Sequence, residues 1–447
     1  MFIESEQELQ RVADALQQGP SFWIPVFSDH FKHYTQNTIS FVYIYSIAED
    51  MDYIVPARHI DCININIERL TELSSPHSIF VLSKKRFQNT YVKPCYDADL
   101  YAWWNLGHML GLDETNTAAH DMWNKWWYNE TNTNDWLPIT RHLERCRAMR
   151  DAFMEVYRLF PRVADEFREY ERYMLDNCNA IECNGLRVDD NIVKQHFNQT
   201  STNGFLYTEY NPYTSTGRPS NKFGGINFAA LNKEDGSRSM LISRFNRGML
   251  LEFDFDAFHV RLIAELIGYT LPDESVHTYF GRQYFGKTDL TDEEYEQSKQ
   301  MTFHLLYGGI DAEFEKIPFF GKTKRYISDL WRQFRKNGFV TTPIFKRPIT
   351  WGQIAEPNAG KLFNYLLQAF ETEHNMRVIN EINTLLTGHN SKLVLYTYDS
   401  FLIDFDLTDG KDLIKEIKDT ISEGNYPVKI KAGVNYHRMQ DMTNKVC

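Results

Sequence analysis

Three scarcities narrow the reading of this 447-residue chain before any motif is considered. Its six cysteines (Cys62, Cys95, Cys146, Cys178, Cys183, Cys447) include no CxxC pair and no zinc-ligand spacing. That excludes a zinc ribbon, a thioredoxin-type redox motif and a disulfide-stapled scaffold, and leaves reduced, mostly buried thiols of a cytosolic kind. No apolar run reaches the roughly 18 residues of a membrane span, and the acidic first residues lack the pattern of a secretory leader. Basic residues are in the minority, 48 Lys and Arg against 60 Asp and Glu, for a net charge of −12. Such a chain has no broad polyanion-binding surface, so a nucleic-acid site on it must be a local basic cleft. Repeats and low-complexity segments are absent too. What remains, 43% hydrophobic and 24% charged, is a globular chain long enough for two or three domains.

The stretch from Met249 to Gly268 organises the rest. Met249 to Phe253 is an apolar run suited to a buried strand. The period then changes, with Phe258, Leu262 and Leu266 recurring every fourth residue as in a helix. Asp254 falls at the junction, where a strand end presents a carboxylate to a cleft; alone, it reads equally as an acid favoured near a helix start. A second stretch, Leu393 to Phe405, reads as two short strands around the polar turn Tyr398-Asp399-Ser400. An Asp amid so much apolar sequence is costly unless it is paired or binds a metal. Two carboxylates at neighbouring strand tips suit a pair of divalent ions about 3.5–4 Å apart. In a third stretch, Lys299, Phe303 and Tyr307 stand four residues apart on one helical face, ahead of Gly308-Gly309. A cation followed by two aromatics suits a phosphate tail followed by sugar and base; taken singly, it is an ordinary amphipathic helix with a snorkelling Lys.

In this order the three stretches resemble the polymerase module of family A DNA polymerases, the group of bacterial repair polymerases and many phage replicases. Asp254-Phe-Asp-Ala-Phe-His-Val-Arg261 is similar to the family's first motif, Lys299-xxx-Phe303-xxx-Tyr307-Gly308 to its second, and Tyr398-Asp399-Ser400 to its third. Thr216-Gly217-Arg218 resembles the template–primer signature, and His277, followed by Phe285-Gly286, a phosphate-contacting histidine. Asn364-xxx-Gln368 resembles the helix that follows the primer's minor groove, and Gly433-Val-Asn-Tyr436 the closing segment. The likeness runs from about Glu166 to the C-terminus.

The resemblance implies an α+β fold, a right-hand polymerase palm and fingers preceded by an RNase H-like α/β domain. Residues 161–447 would be the polymerase module, with palm 161–269 and 346–447, fingers 270–345 and a minimal thumb near 190–212. It implies that Asp254 and Asp399 hold two Mg²⁺ ions, for which Mn²⁺ can substitute, with the Phe255 carbonyl as a further ligand. Lys299 and His277 would neutralise the triphosphate, Phe303 and Tyr307 would pack on base and sugar, and His259 would stand at the sugar. Arg218, Asn364, Gln368 and Tyr398 would touch primer–template DNA. The implied partners are primer–template, dNTPs and a processivity factor or other replication protein. The implied setting is the cytoplasm of a bacterium or a phage-infected host.

Residues 1–160 resemble the proofreading exonuclease that precedes many such modules, in layout but not in chemistry. Strands are expected at Phe22–Phe27, Ser40–Ile47, Tyr53–Pro56 and Ile79–Leu82, with helices at Ile67–Leu73 and from Asp97. The four metal-binding carboxylate positions fall on Pro25, Phe27, Gln88 and Arg150, which bind no metal, and Asp97 and Asp99 are at best remnants. The expectation is a degenerate domain and synthesis without proofreading. Only 217 − 185 = 32 positions separate Gly185 from Gly217, too few for a long helical thumb. Within the fingers, Lys322, Lys324, Arg325, Arg332, Arg335 and Lys336 interleave with Tyr326, Trp331 and Phe334, a pattern suited to single-stranded template.

Three departures qualify the likeness. Tyr295 stands where the family has a phosphate-binding Arg. His259 replaces the Glu that blocks a ribose 2′-hydroxyl, though an imidazole can fill that space and hydrogen-bond Tyr307. Ser400 resembles single-subunit phage RNA polymerases, whereas Phe303 argues against them. An RNA-synthesising relative and a catalytically silent DNA-binding scaffold are therefore the alternatives.

Overall fold

The computed structural model describes residues 1–29, 32–87, 95–110, 133–272 and 274–445. The chain divides into two compact units: Met1–Cys183 with Tyr207–Tyr213 and Lys222–Ile226, and Asn184–Leu206 with Thr214–Asn221 and Asn227–Cys447.

In the first unit, β-branched and aromatic runs form strands β1 (Ser21–Phe27), β2 (Ile39–Ser46), β3 (Met51–Pro56), β4 (Ile79–Val81) and β5 (Cys95–Asp97) of one sheet, ordered β3-β2-β1-β4-β5. β1 runs antiparallel to β2 and parallel to β4. Every residue of β1 and β2 is buried, because helices cover both faces; hence their apolar runs do not alternate. Helix α1 (Glu6–Gln18), capped by Ser5, packs Leu9, Val12 and Leu16 against Trp23, Val42 and Val81. Helix α2 (Ala98–Leu106) follows β5 directly. On the sheet's other side, α3 (Ile139–Leu159) stacks Phe153 on Phe22 at 4.5 Å. The expected strands are present; the expected helix near Ile67 is a 3₁₀ turn, Ile67–Glu72, and α1 had no counterpart in the sequence reading.

Pro25 lies inside β1. Ser21 donates to Ser78 and Trp23 accepts from Leu82, so alternate residues turn their main-chain groups toward β4. Pairing with β4 ends at Trp23, and the donor that Pro25 lacks falls beyond that end. Phe27 is likewise core, and Arg150 pairs with Asp52 at 3.1 Å over the Tyr45 ring. Gln88 lies outside the described residues. Asp97 is fully buried and accepts the Leu100 and Lys84 amides, while Asp99 accepts the Leu110 amide at 3.3 Å.

The second unit is built on an antiparallel sheet of β6 (Gly248–Phe255), β7 (Lys392–Tyr396), β8 (Ser400–Asp406), β9 (Val428–Gly433) and β10 (Met439–Asp441), ordered β7-β8-β6-β9-β10. Its helices include α4 (Phe258–Leu266), α5 (Val276–Phe285), α6 (Asp292–Gly308), α7 (Pro318–Asn337), α8 (Ala359–Leu385) and α9 (Lys411–Ser422). α8 is buried along most of its length, including the polar run Glu371-Thr-Glu-His-Asn375. Between Gly185 and Gly217 the single helix is Asp190–Phe197. No helix among the described residues is long and apolar enough to cross a membrane.

Candidate active site

Asp254 comes one residue before the end of the central strand, paired in register with Ser400 on β8 and Lys429 on β9. The next turn reverses the chain into α4 through Ala257 at φ 52°; the turn between β7 and β8 passes through Tyr398 at φ 67°. Left-handed backbone is uncommon for residues with a Cβ, and such strain collects where structure around it fixes a functional group. Here the fixing contacts are visible. The Phe255 amide donates to the Asp399 carbonyl at 3.0 Å, and Asn375 on α8 donates to the Tyr398 carbonyl and the Tyr396 hydroxyl. The two carboxylate-bearing turns are thus tied to each other and to α8.

Facing them, α6 begins with a capping box, Thr291 and Glu294 satisfying each other's main-chain donors, behind an acidic first turn. The face beside its four-residue ladder packs on α5: Ser298 donates to the His277 carbonyl at 2.6 Å, and Tyr284 and Thr302 share a hydrogen bond. A Cβ on Gly281 would come within 2.5 Å of Leu290 and 3.1 Å of Ser298, so the helices approach closely there. The His277 ring sits between Tyr295 and Phe303, and Phe303 lies nearly parallel to Tyr307. Both aromatics are over a third exposed, unusual for rings of that size unless something covers them in use.

A cleft of about 410 Å³ brings together Arg218, Asp254, Phe255, His259, His277, Lys299, Phe303, Tyr307 and Asp399. Asn364, Gln368 and Tyr398 are not on its wall. Tyr398 lies beneath Arg218, whose guanidinium is 3.7 Å from the ring centre. Asn364 and Gln368 are half-buried on α8, seven and three residues before Glu371 and so on the same helical face. Two cleft residues, Glu371 and Lys429, were not singled out in the sequence. Glu371 is 1% exposed and lies 2.9 Å from Arg218 and 3.0 Å from His259. Lys429 pairs with Asp256 at 2.6 Å. The polar run inside buried α8 and the alternation Val-Lys-Ile-Lys431 on β9 were the signals for them. Tyr295 does stand in the cleft, and Lys429 brings a cation to it that the sequence comparison had not supplied.

Charge is unevenly balanced here. Burial, then the charges of Asp399 and Glu252, push the Asp254 carboxyl up to about 6, with Lys431 and Lys233 opposing. Burial and Glu371 also raise Asp399, against Arg218 and His259. Burial lowers His277 and, with Glu371 adding to it, lifts the Tyr307 phenol to about 12. Two like carboxylates on one cleft, Asp254 half-buried and Asp399 more exposed, therefore hold negative charge that a cation would relieve. Their oxygens are hard donors, and among the described residues no group of three or more His, Cys, Asp or Glu forms a closed metal cage. That donor set fits Mg²⁺, which is held by one or two carboxylates with water and substrate phosphates completing its shell.

No family model matches the sequence, and no curated protein does. Among solved structures the chain is similar to the POL domain of Pol1 from M. smegmatis, in complex with DNA primer-template and dNTP. The TM-score is 0.71 and the identity 13%, over 98% of this chain and 99% of that one. At that identity the likeness concerns the fold: this chain has the mixed α+β fold of a DNA polymerase's polymerase domain.

Proposed function

We propose that the chain is a template-directed DNA polymerase, akin to family A, that extends a primer with dNTPs by nucleotidyl transfer. One observation carries this reading: the Asp254 and Asp399 carboxylates open onto the same cleft as the Lys299–Phe303–Tyr307 face of α6. When bound, two Mg²⁺ ions would lower the pKa of the primer 3′-hydroxyl and neutralise charge on the leaving pyrophosphate. Asp254 and Asp399, with the Phe255 carbonyl, would hold them. Lys299 and His277 bind the triphosphate, and Lys429 supplies the further cation that Tyr295 cannot. Phe303 and Tyr307 stack against base and sugar. Arg218, Tyr398, Asn364 and Gln368 orient the primer end.

Residues 161–447 form the polymerase module in this reading, and residues 1–160 a degenerate exonuclease-like domain. Its former metal positions include Pro25 and Phe27 in a sheet core and Arg150 in an ion pair, which supports synthesis without proofreading. Ser400, the residue that favours an RNA-synthesising relative, shares a 2.7 Å hydrogen bond with Thr397 inside its own turn, a local role that needs no ribonucleotide.

Primer extension with Mg²⁺ and either dNTPs or rNTPs tests the reading. dNTP incorporation is expected, with Asp254→Ala and Asp399→Ala each below about a tenth of the wild-type rate, a ~1.4 kcal/mol effect. A folded variant above that level would remove the two-carboxylate assignment. Incubation with labelled single-stranded DNA and Mg²⁺ or Mn²⁺ should leave it intact; shortening that is lost on mutating Asp97 and Asp99 would restore a nuclease.

A further inference from the structure

Lys429 is held by a residue other than the one it faces. β9 runs antiparallel to β6, with Lys431 opposite Glu252 and Lys429 opposite Asp254. Lys431 pairs with its own register partner, 3.1 Å from Glu252 Oε2. Lys429 instead donates from Nζ to Asp256 Oδ1 at 2.6 Å, two residues further along the chain. Directly opposed side chains stand about 5 Å apart at Cβ, so Asp254 is well within reach of a four-carbon stem. The contact with Asp256 keeps Lys429 off a carboxylate that the cleft needs free.

Asp256 is a fixed anchor for a mobile partner. Its side chain is 15% exposed against 49% for Lys429. Its amide donates to the Pro427 carbonyl at 2.8 Å, and its carbonyl accepts from Arg261 Nε at 3.0 Å. A half-exposed lysine stem samples many rotamers, and ordering it costs entropy that an anchor has already met. An ammonium carries three protons, so one bond to Asp256 leaves two for phosphate oxygens. Both residues line the cleft with His277, Tyr295 and Lys299. Burial depresses the His277 imidazole; of the charges that bear on it, Asp256 opposes this, and Lys299 and Lys429 add to it. The pair thus lies beside the two groups assigned to the triphosphate.

We propose that Asp256 is a positioning residue for the incoming triphosphate: it draws Lys429 away from Asp254 and holds the ammonium ready for phosphate oxygens. The proposal rests on the polymerase reading above. By charge alone, an acid beside a triphosphate weakens its binding, and removing that acid would strengthen it. Positioning predicts the opposite sign, because an unanchored Lys429 falls back on its register partner Asp254 or stays disordered in solvent.

The experiment measures the dissociation constant of a correct dNTP from the concentration dependence of single-nucleotide incorporation at saturating Mg²⁺. It compares wild type, Asp256→Asn, Lys429→Ala and the double variant, with melting curves to confirm folding. Asp256→Asn and Lys429→Ala are each expected to raise the constant at least about threefold. In the Lys429→Ala background, Asp256→Asn should raise it by less than about 1.5-fold, or lower it, since no ammonium is left to place. A rise below threefold in either folded single variant overturns the positioning role and leaves the polymerase reading standing. So does a rise of 1.5-fold or more in the Lys429→Ala background, which is what a merely structural role, or a direct grip of Asp256 on metal, would give. If Asp256→Asn does not fold, Asp256→Ala decides by the same limits. Wild type that incorporates no dNTP overturns the polymerase reading, and this inference with it.

Discussion

Asp254 is a residue whose usefulness conflicts with its stability. Its folded carboxyl, near 6 against an ordinary 3.8, is raised, so in the metal-free protein its ionisation destabilises the fold progressively as pH climbs from 3.8 through about 6. The destabilisation is complete above that and absent well below 3.8. Asp254→Asn should therefore abolish extension yet raise metal-free stability at pH 7 by about 1 kcal/mol, a figure reduced for the group's partial exposure. Denaturant melts in a chelator check this; a variant less stable than wild type would mean that Asp254 supports the fold. By the same linkage, Mg²⁺ should raise the melting temperature more at pH 7.5 than at pH 5.5, where a proton competes for the carboxylate. The residues most legible in the sequence were those at a change of period, such as Asp254, or in a polar turn between apolar strands, such as Asp399. Glu371 and Lys429 were less so, because a buried charge advertises itself only once its neighbours in space are known.

Among the elements, α6 was readable from its four-residue ladder and its cap, whereas α1 was not, since its apolar stripe at Leu9, Val12 and Leu16 is diluted by glutamines and acids. The basic face expected on α7 is only partly available. Lys322 donates to the Gly268 carbonyl and Lys324 to Glu315 and the Ile310 carbonyl. Arg325, Arg332 (in a surface ion pair with Asp329 at 3.1 Å) and Lys336 are exposed and, at 100° per residue, fall within about 40° of one another around the helix. That stripe is the part suited to a single-stranded template. The triple substitution of these three by Ala should leave the melting temperature nearly unchanged and flatten the salt dependence of template binding by about 2 units of slope, at ~0.7 per lost phosphate contact. An unchanged slope would assign template binding to another surface.

At the scale of the whole molecule, the fold class could be read from sequence because changes of period from strand to helix are legible without sequence identity; the chain shares its fold with a solved polymerase domain at 13% identity. On the polymerase reading, the short connection from Gly185 to Gly217 bears on how DNA would be held. One eight-residue helix and a net charge of −12 offer few phosphate contacts behind the site. Synthesis by the isolated chain should accordingly be distributive, a few nucleotides per encounter in single-hit extension with a trap. Long products at moderate salt would mean that another segment clamps the duplex. The central claim, that this cleft copies a template, is tested most directly by single-nucleotide incorporation on four primer–templates differing only in the templating base. The account predicts Mg²⁺-dependent addition of the complementary dNTP on each, lost in Asp254→Ala and Asp399→Ala. No addition by the wild-type chain, or addition indifferent to the templating base, would contradict it.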